Sequence, residues 1–232
     1  MRAIACLLAA CSGACIDNDP ATLDEVITSL EVMNSPDTLI ADGHSPIAVQ
    51  ICTTDQQGRD PKLAATLKTS VGAWQTPDLD PKTATVLMSH ACEQRALIPG
   101  TDPGPVSVTG TIGTFTKVLP VMLLGAPIDK VRLGRQGLLS PTAASILTLT
   151  ANLDVRANGR ASTGTLVTFH VTVEAPSGGT AFVGDRELRS AQGSALQTTL
   201  FVAAGVTQLT VTATAAPEGQ PAKDSDPLVI TQ

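Results

Sequence analysis

The sequence has no tyrosine, one tryptophan (Trp74) and four phenylalanines (Phe115, Phe169, Phe182 and Phe201) in 232 residues. So little aromatic surface argues against strong sugar binding, which uses stacking rings, and against an interface built on aromatic anchors. Basic clusters are missing as well. Fifteen Lys and Arg face 21 Asp and Glu, a net charge of −6, so nothing draws the chain to a phosphate backbone and nucleic acid is excluded as a partner. No run reaches eighteen apolar residues, which excludes a helix crossing a bilayer. The three histidines, His44, His90 and His170, lie far apart. None has a cysteine or carboxylate at ligand spacing, so no metal site and no cofactor are expected.

What is present is aliphatic. Hydrophobic residues make up 43% of the chain, set among 19 Gly and 16 Pro, a mixture that favours short strands and turns. Period-two alternation recurs throughout. Ile47, Val49 and Ile51 alternate with Ala48, Gln50 and Cys52; Val106 and Val108 alternate with Ser107 and Thr109; Leu209 and Val211 alternate with Gln208, Thr210 and Thr212. This is the pattern of half-buried strands at the spacing of an all-β sandwich. The best helical candidate, Asp24 to Val32, serves as readily as a first strand.

The chain also carries a diverged repeat. Leu39 to Trp74 and Ala144 to Val171 each run from an alternating strand through a polar Gly turn (DQQGRDP, DVRANGR) into a second alternating strand. Asp55 or Asp154 starts the turn, and Gly58 or Gly159 lies inside it. The spacing allows one sandwich per copy, joined through LLGAPIDKV, Leu123 to Val131. The expected organisation is a leader and tether over residues 1–23, a first domain over 24–125 and a second over 126–232.

The opening stretch sets the expected compartment. Leu8-Ala9-Ala10-Cys11 resembles the lipobox of bacterial lipoproteins, in which small residues fit the signal peptidase and the Cys thiol takes a diacylglycerol. A polar tether, SGACIDNDPA, follows. Ten residues before the cysteine is short against a usual leader of about 15–30. Cys15 fits less well, because Ser12 stands where Leu or a similar residue is wanted. The resemblance implies lipid attachment at Cys11. With Ser12 rather than Asp after it, the familiar sorting pattern implies the outer membrane. Each buried CH₂ of the acyl chains would contribute about 0.8 kcal/mol of anchoring.

A second resemblance lies in Ala41 to Pro61, ADGHSPIAVQICTTDQQGRDP. It is similar to bacterial Ig-like domains of the invasin and intimin type, whose characteristic stretch runs A-D-G-x-S, an alternating strand, then D-x-x-G-x-P. Ala41, Asp42, Gly43 and Ser45 match the first part. Asp55 and Gly58 match the second, with Pro61 one residue late. Thr69-Ser70-Val71-Gly72 matches the T-S-x-G that follows. The second copy lacks A-D-G-x-S and the proline. The resemblance implies an all-β fold of two tandem Ig-like antiparallel β-sandwiches after the N-terminal signal and tether, used for display, adhesion or spacing, and it carries over no catalytic residues.

The remaining candidates are few. Gly43-His44-Ser45 is followed by Pro46 and precedes a strand, which rules out a nucleophile elbow. Asp-x-Asp-Pro occurs at Asp17, Asp78 and Asp224, without the Gly and distal Glu of a dedicated calcium loop; turn building is the expected role. Cys52 and Cys92 would meet an oxidising environment after export, which favours a disulfide between them over the alternative of two unpaired thiols. Cys52 shares a face with Gln50, whereas a regular count from Val86 and Met88 puts Cys92 on the apolar face. That mismatch favours a bridge at a sheet edge or in a loop over one buried between sheets. GTIGTF (Gly110 to Phe115) and PSGG (Pro176 to Gly179) read as bulges and hairpin turns. The expected protein is a non-catalytic, lipid-anchored envelope component. Its partners would be the membrane, through the anchor, and a protein or surface polymer. A periplasm-facing accessory subunit is the alternative.

Overall fold

A computed structural model describes residues 26–35, 39–54, 63–156, 159–174, 178–191 and 195–232. Among them the regular elements are strands, and the burial of each strand follows the alternation of its side chains. Strand β3 (Ile47–Thr54) is typical: its odd-numbered residues are buried and its even-numbered ones half-exposed. The period-two pattern therefore identifies the inner face directly. The ambiguous first segment is strand β1 (Val26–Val32), paired antiparallel with β3.

The first half of the chain forms two sheets. One has the order β1, β3, β7 (Cys92–Ile98), β5 (Ala73–Trp74). The other has the order β2 (Ile40–Ala41), β9 (Phe115–Gly125), β8 (Gly104–Ile112), β4 (Ala64–Thr69), β6 (Thr83–Leu87). All pairings are antiparallel except the short β2–β9 contact, Ile40 opposite Leu124. Between the sheets lies a core from Leu30 to Leu123 that includes Ile47, Ile51, Leu67, Val86, Val108 and Ile112. Trp74 closes one end of it, 2% exposed, with its indole N–H donating to the Lys82 carbonyl at 3.1 Å.

The second half repeats the plan. Strands β10 (Ile128–Gln136), β11 (Ser145–Val155), β15 (Ala195–Val202) and β13 (Ala181–Val183) form one sheet in that order. The other has β14 (Glu187–Arg189), β12 (Leu166–Val173) and β16 (Gln208–Ala216), with β17 (Lys223–Asp224) and β18 (Leu228–Thr231) both paired to β16. A separate core runs from Ile128 to Ile230 around Phe169, Leu147, Leu149 and Leu200. Buried Leu39, Ile47 and Val49 recur as buried Leu139, Leu147 and Leu149. The two cores meet no common residue, and two residues, Ala126 and Pro127, separate β9 from β10.

The Thr69–Gly72 turn follows from its sequence. The Thr69 hydroxyl donates to the Val71 carbonyl at 2.6 Å, and the Ser70 hydroxyl accepts from the Ser107 N–H. Gly72 has φ +72°, and a Cβ there would stand 2.2 Å from the Ile98 carbonyl oxygen. Only glycine fits that position. Gly113, at φ 53°, sits in the two-residue connection of the β8–β9 hairpin, so GTIGTF is a hairpin turn.

Candidate functional site

The lipobox Leu8–Cys11, the tether and Asp17 lie outside the described residues, as do Asp55, Gly58 and Pro61. The described part of the A-D-G-x-S stretch does something its sequence does not announce: it forms the joint between the two sandwiches. Asp42 is fully buried. Its Oδ1 accepts the N–H groups of His44 and Ser45, both at 2.8 Å, and its Oδ2 accepts the Ser45 hydroxyl. A carboxylate taken out of water needs this many donors, and a charged acceptor gains more from each than a neutral one would. The small Gly43, at φ 65°, lets the chain turn back around it.

The loop so stiffened docks on the second domain. Arg160 N–H donates to the Asp42 carbonyl at 2.9 Å, and Thr163 N–H to the Thr101 carbonyl at 2.8 Å. The buried Ser162 hydroxyl donates to the Ala41 carbonyl and accepts from Ala126 N–H, both at 2.6 Å. One side chain thus ties the first domain, the linker and the second domain. Ser162 is itself held by Thr165 and Ser190, whose hydroxyls both donate to its carbonyl. On the other side of the joint, Gly125 N–H donates to the Glu218 carbonyl at 2.7 Å. The approach is close at two glycines: a Cβ on Gly159 would meet Asp42 Oδ2 at 2.9 Å, and one on Gly125 would meet Glu218 backbone atoms at 2.8–2.9 Å.

The other singled-out residues are dispersed. Cys52 and Cys92 form a disulfide, and they stand opposite each other on neighbouring strands β3 and β7. The bridge lies neither at an edge nor in a loop; it joins two interior strands across the outer face of one sheet. Cys52 is on the Gln50 face, as its parity requires. The apolar placement of Cys92 is corrected, because β6 ends at Leu87 and the bends at 89–91 restart the count before β7. Beside it, Glu93 sits below the usual carboxylate range because the Ser89 hydroxyl, and then His90, bond to it.

Among the described residues no three His, Cys, Asp or Glu side chains converge as a metal set. His44 bonds to Asp42 through its backbone N–H, and Ser45 gives its hydroxyl to the same carboxylate, so Gly43-His44-Ser45 forms no nucleophile–base pair. Asp78 and Asp80 fasten the turn before β6, Asp80 accepting from Lys82 N–H and the Thr83 hydroxyl, Asp78 from the Thr85 hydroxyl. These bonds hold Asp80 below the usual carboxylate range, the Lys82 N–H contributing most. Asp224 accepts the Thr214 hydroxyl, and Asp226 pairs with Lys130 at 3.0 Å. The Asp-x-Asp-Pro carboxylates that are described therefore build turns and a strand pairing.

No protein-family model matches the chain. No curated protein matches it in sequence. Solved structures do match it. Invasin, described as a bacterial integrin-binding protein, matches over 85% of this chain and 38% of its own length, at 16% identity and a TM-score of 0.53. The Yersinia pseudotuberculosis adhesin InvE matches over 89% of this chain and 58% of its own, at 13% identity and a TM-score of 0.49. The chain thus spans less than two thirds of the length of either. The fold is that of bacterial Ig-like β-sandwich domains of the invasin and intimin type, in tandem.

Proposed function

We propose that the chain is a non-catalytic, lipid-anchored component of a bacterial cell envelope, whose tandem Ig-like sandwiches act as a stiff display, adhesion or spacer module. The observation that carries this reading is the joint. A linker of two residues, a buried carboxylate with three donors and a hydroxyl shared between both domains resist bending where tandem domains ordinarily swing. Stiffness of that kind serves to hold one end of a molecule away from the surface that bears the other. Support for the anchor comes from Leu8-Ala9-Ala10-Cys11 at the head of a polar tether.

Protease shaving of intact cells, followed by fractionation, tests the proposal with the native protein and Cys11→Ala. The expected result is a native chain that is membrane-bound and cleaved from outside, and a variant that is soluble. A native chain that is membrane-bound through Cys11 but protected from protease would instead identify a periplasm-facing brace of an envelope assembly. An unchanged Cys11→Ala variant would refute the anchor.

A further inference from the structure

Two of the five aromatic residues stack against each other on an outer sheet face. Phe182, on edge strand β13, is 60% exposed, and Phe201 stands opposite it on β15. Their rings are stacked with centroids 5.0 Å apart and planes 19° from parallel. Ile146, 69% exposed, lies opposite Phe201 on the next strand. Further along the same outer face the pairs are Thr148 with Thr199 and Thr150 with Gln197, residues that suit a wet sheet surface. The apolar row has no partner of that kind, so its exposure asks for one.

Phe182 also forms a wall of a cleft of about 370 Å³ between β13 and β12, toward the small end of ligand-site volumes. Phe169, Val171, Ala181 and Val183 supply apolar lining; Arg186, His170 and Thr172 supply polar groups. Arg186 is anchored by its main chain, whose carbonyl accepts the Phe169 N–H at 2.8 Å. Its guanidinium reaches His170 Nδ1 at 3.2 Å. A guanidinium only donates, so Nδ1 accepts, and the other N–H groups of the fork meet no acceptor among the described residues. Unlike Lys130, Arg132 and Arg156, which pair with Asp226, Asp154 and Asp129, Arg186 meets no carboxylate among the described residues. The neighbouring Asp185 and Glu187 make no ion pair with it either.

We infer that this cleft binds a sugar ring bearing a carboxylate, a hexuronate or a similar acidic pyranose. The apolar face of the ring packs on Phe182, which Phe201 holds in place at little entropic cost. The carboxylate takes the planar fork of Arg186, a bidentate match that a point charge would not give. Thr172, which lines the same cleft, offers a hydroxyl as a further polar group. A low aromatic content does not exclude a sugar site here, because one backed ring beside a free guanidinium is enough to make one. This deepens the display reading by naming a ligand class, and it does not depend on the anchor.

Calorimetric titration of the purified full chain with trigalacturonate, with maltotriose as the neutral probe, tests the inference. Saturable binding of the acidic trisaccharide is expected, at least about tenfold weaker in Phe182→Ala. Arg186→Gln should abolish the preference for the acidic over the neutral sugar. Phe115→Ala, in the other domain, should bind as the native chain does. Binding that survives Phe182→Ala, equal binding of the two sugars, or no saturation up to about 10 mM would overturn it. So would a preference for an extended pentapeptide, which would show instead that the open edges of β12 and β13 accept a strand. Failure here leaves the shaving result standing, and the converse holds.

Discussion

Single residues record the fold most sharply where they break a rule. Thr53 is fully buried in β3, and its hydroxyl is the one buried side-chain polar atom without a hydrogen bond among the described residues. At the matching place in the second sandwich stands Leu153, also buried. Thr53→Val keeps the shape and removes the unsatisfied group, so urea denaturation should show the first domain gaining about 1 kcal/mol. Gly72 breaks the rule in the other direction, combining a positive φ with a carbonyl 2.2 Å from the missing Cβ. Gly72→Ala should cost at least about 2 kcal/mol in the same measurement. The glycine is legible in T-S-x-G as a turn residue. The close carbonyl is not, because it belongs to Ile98, far away in sequence.

At the scale of strands and sheets, alternation made several of the long strands readable: Ile47-Val49-Ile51 and Leu209-Val211 point inward as their period requires. The count failed at Cys92 because parity survives only within a continuous strand, and the bends at 89–91 separate β6 from β7. The disulfide between β3 and β7 closes a sequence separation of 40 residues, and constraining the unfolded chain over such a span is worth about 4 kcal/mol. Cys52→Ala/Cys92→Ala should therefore lower the thermal midpoint of the first domain and leave that of the second unchanged, which two-domain calorimetry resolves. Beside the bridge, Glu93 has its folded pKa below the unfolded one. Its contribution is present above the unfolded value, near about 4.3, and is lost as pH falls through the lower folded value. Glu93→Gln should lower the first domain's stability slightly near neutrality, where that contribution is present, and flatten the acid limb of its stability curve below about pH 4; the Ser89–Glu93 bond is exposed to solvent, so the effect is small.

In the molecule as a whole, the joint is what matters, and it was only half visible in the sequence. A-D-G-x-S marked a turn; that the turn locks two domains depends on Arg160, Ser162 and Thr163, which no local pattern links to it. Gly159→Val, whose added atoms would displace the Asp42 carboxylate, should leave both cores folded and loosen their relative orientation. Small-angle X-ray scattering should then show a broader distribution of distances, and an unchanged profile would mean that the linker alone sets the geometry. The fitting has a direction. Asp42, Gly43 and Ser45 lie at the end of the first sandwich that faces the second, while the second carries Thr142, Ala143 and Ser145 at the matching places, without the carboxylate. The order of the two units is consequently not interchangeable. A permuted chain with the second sandwich first would keep both halves and lose the lock, so this architecture behaves as a sentence with a fixed word order rather than as beads that can be restrung.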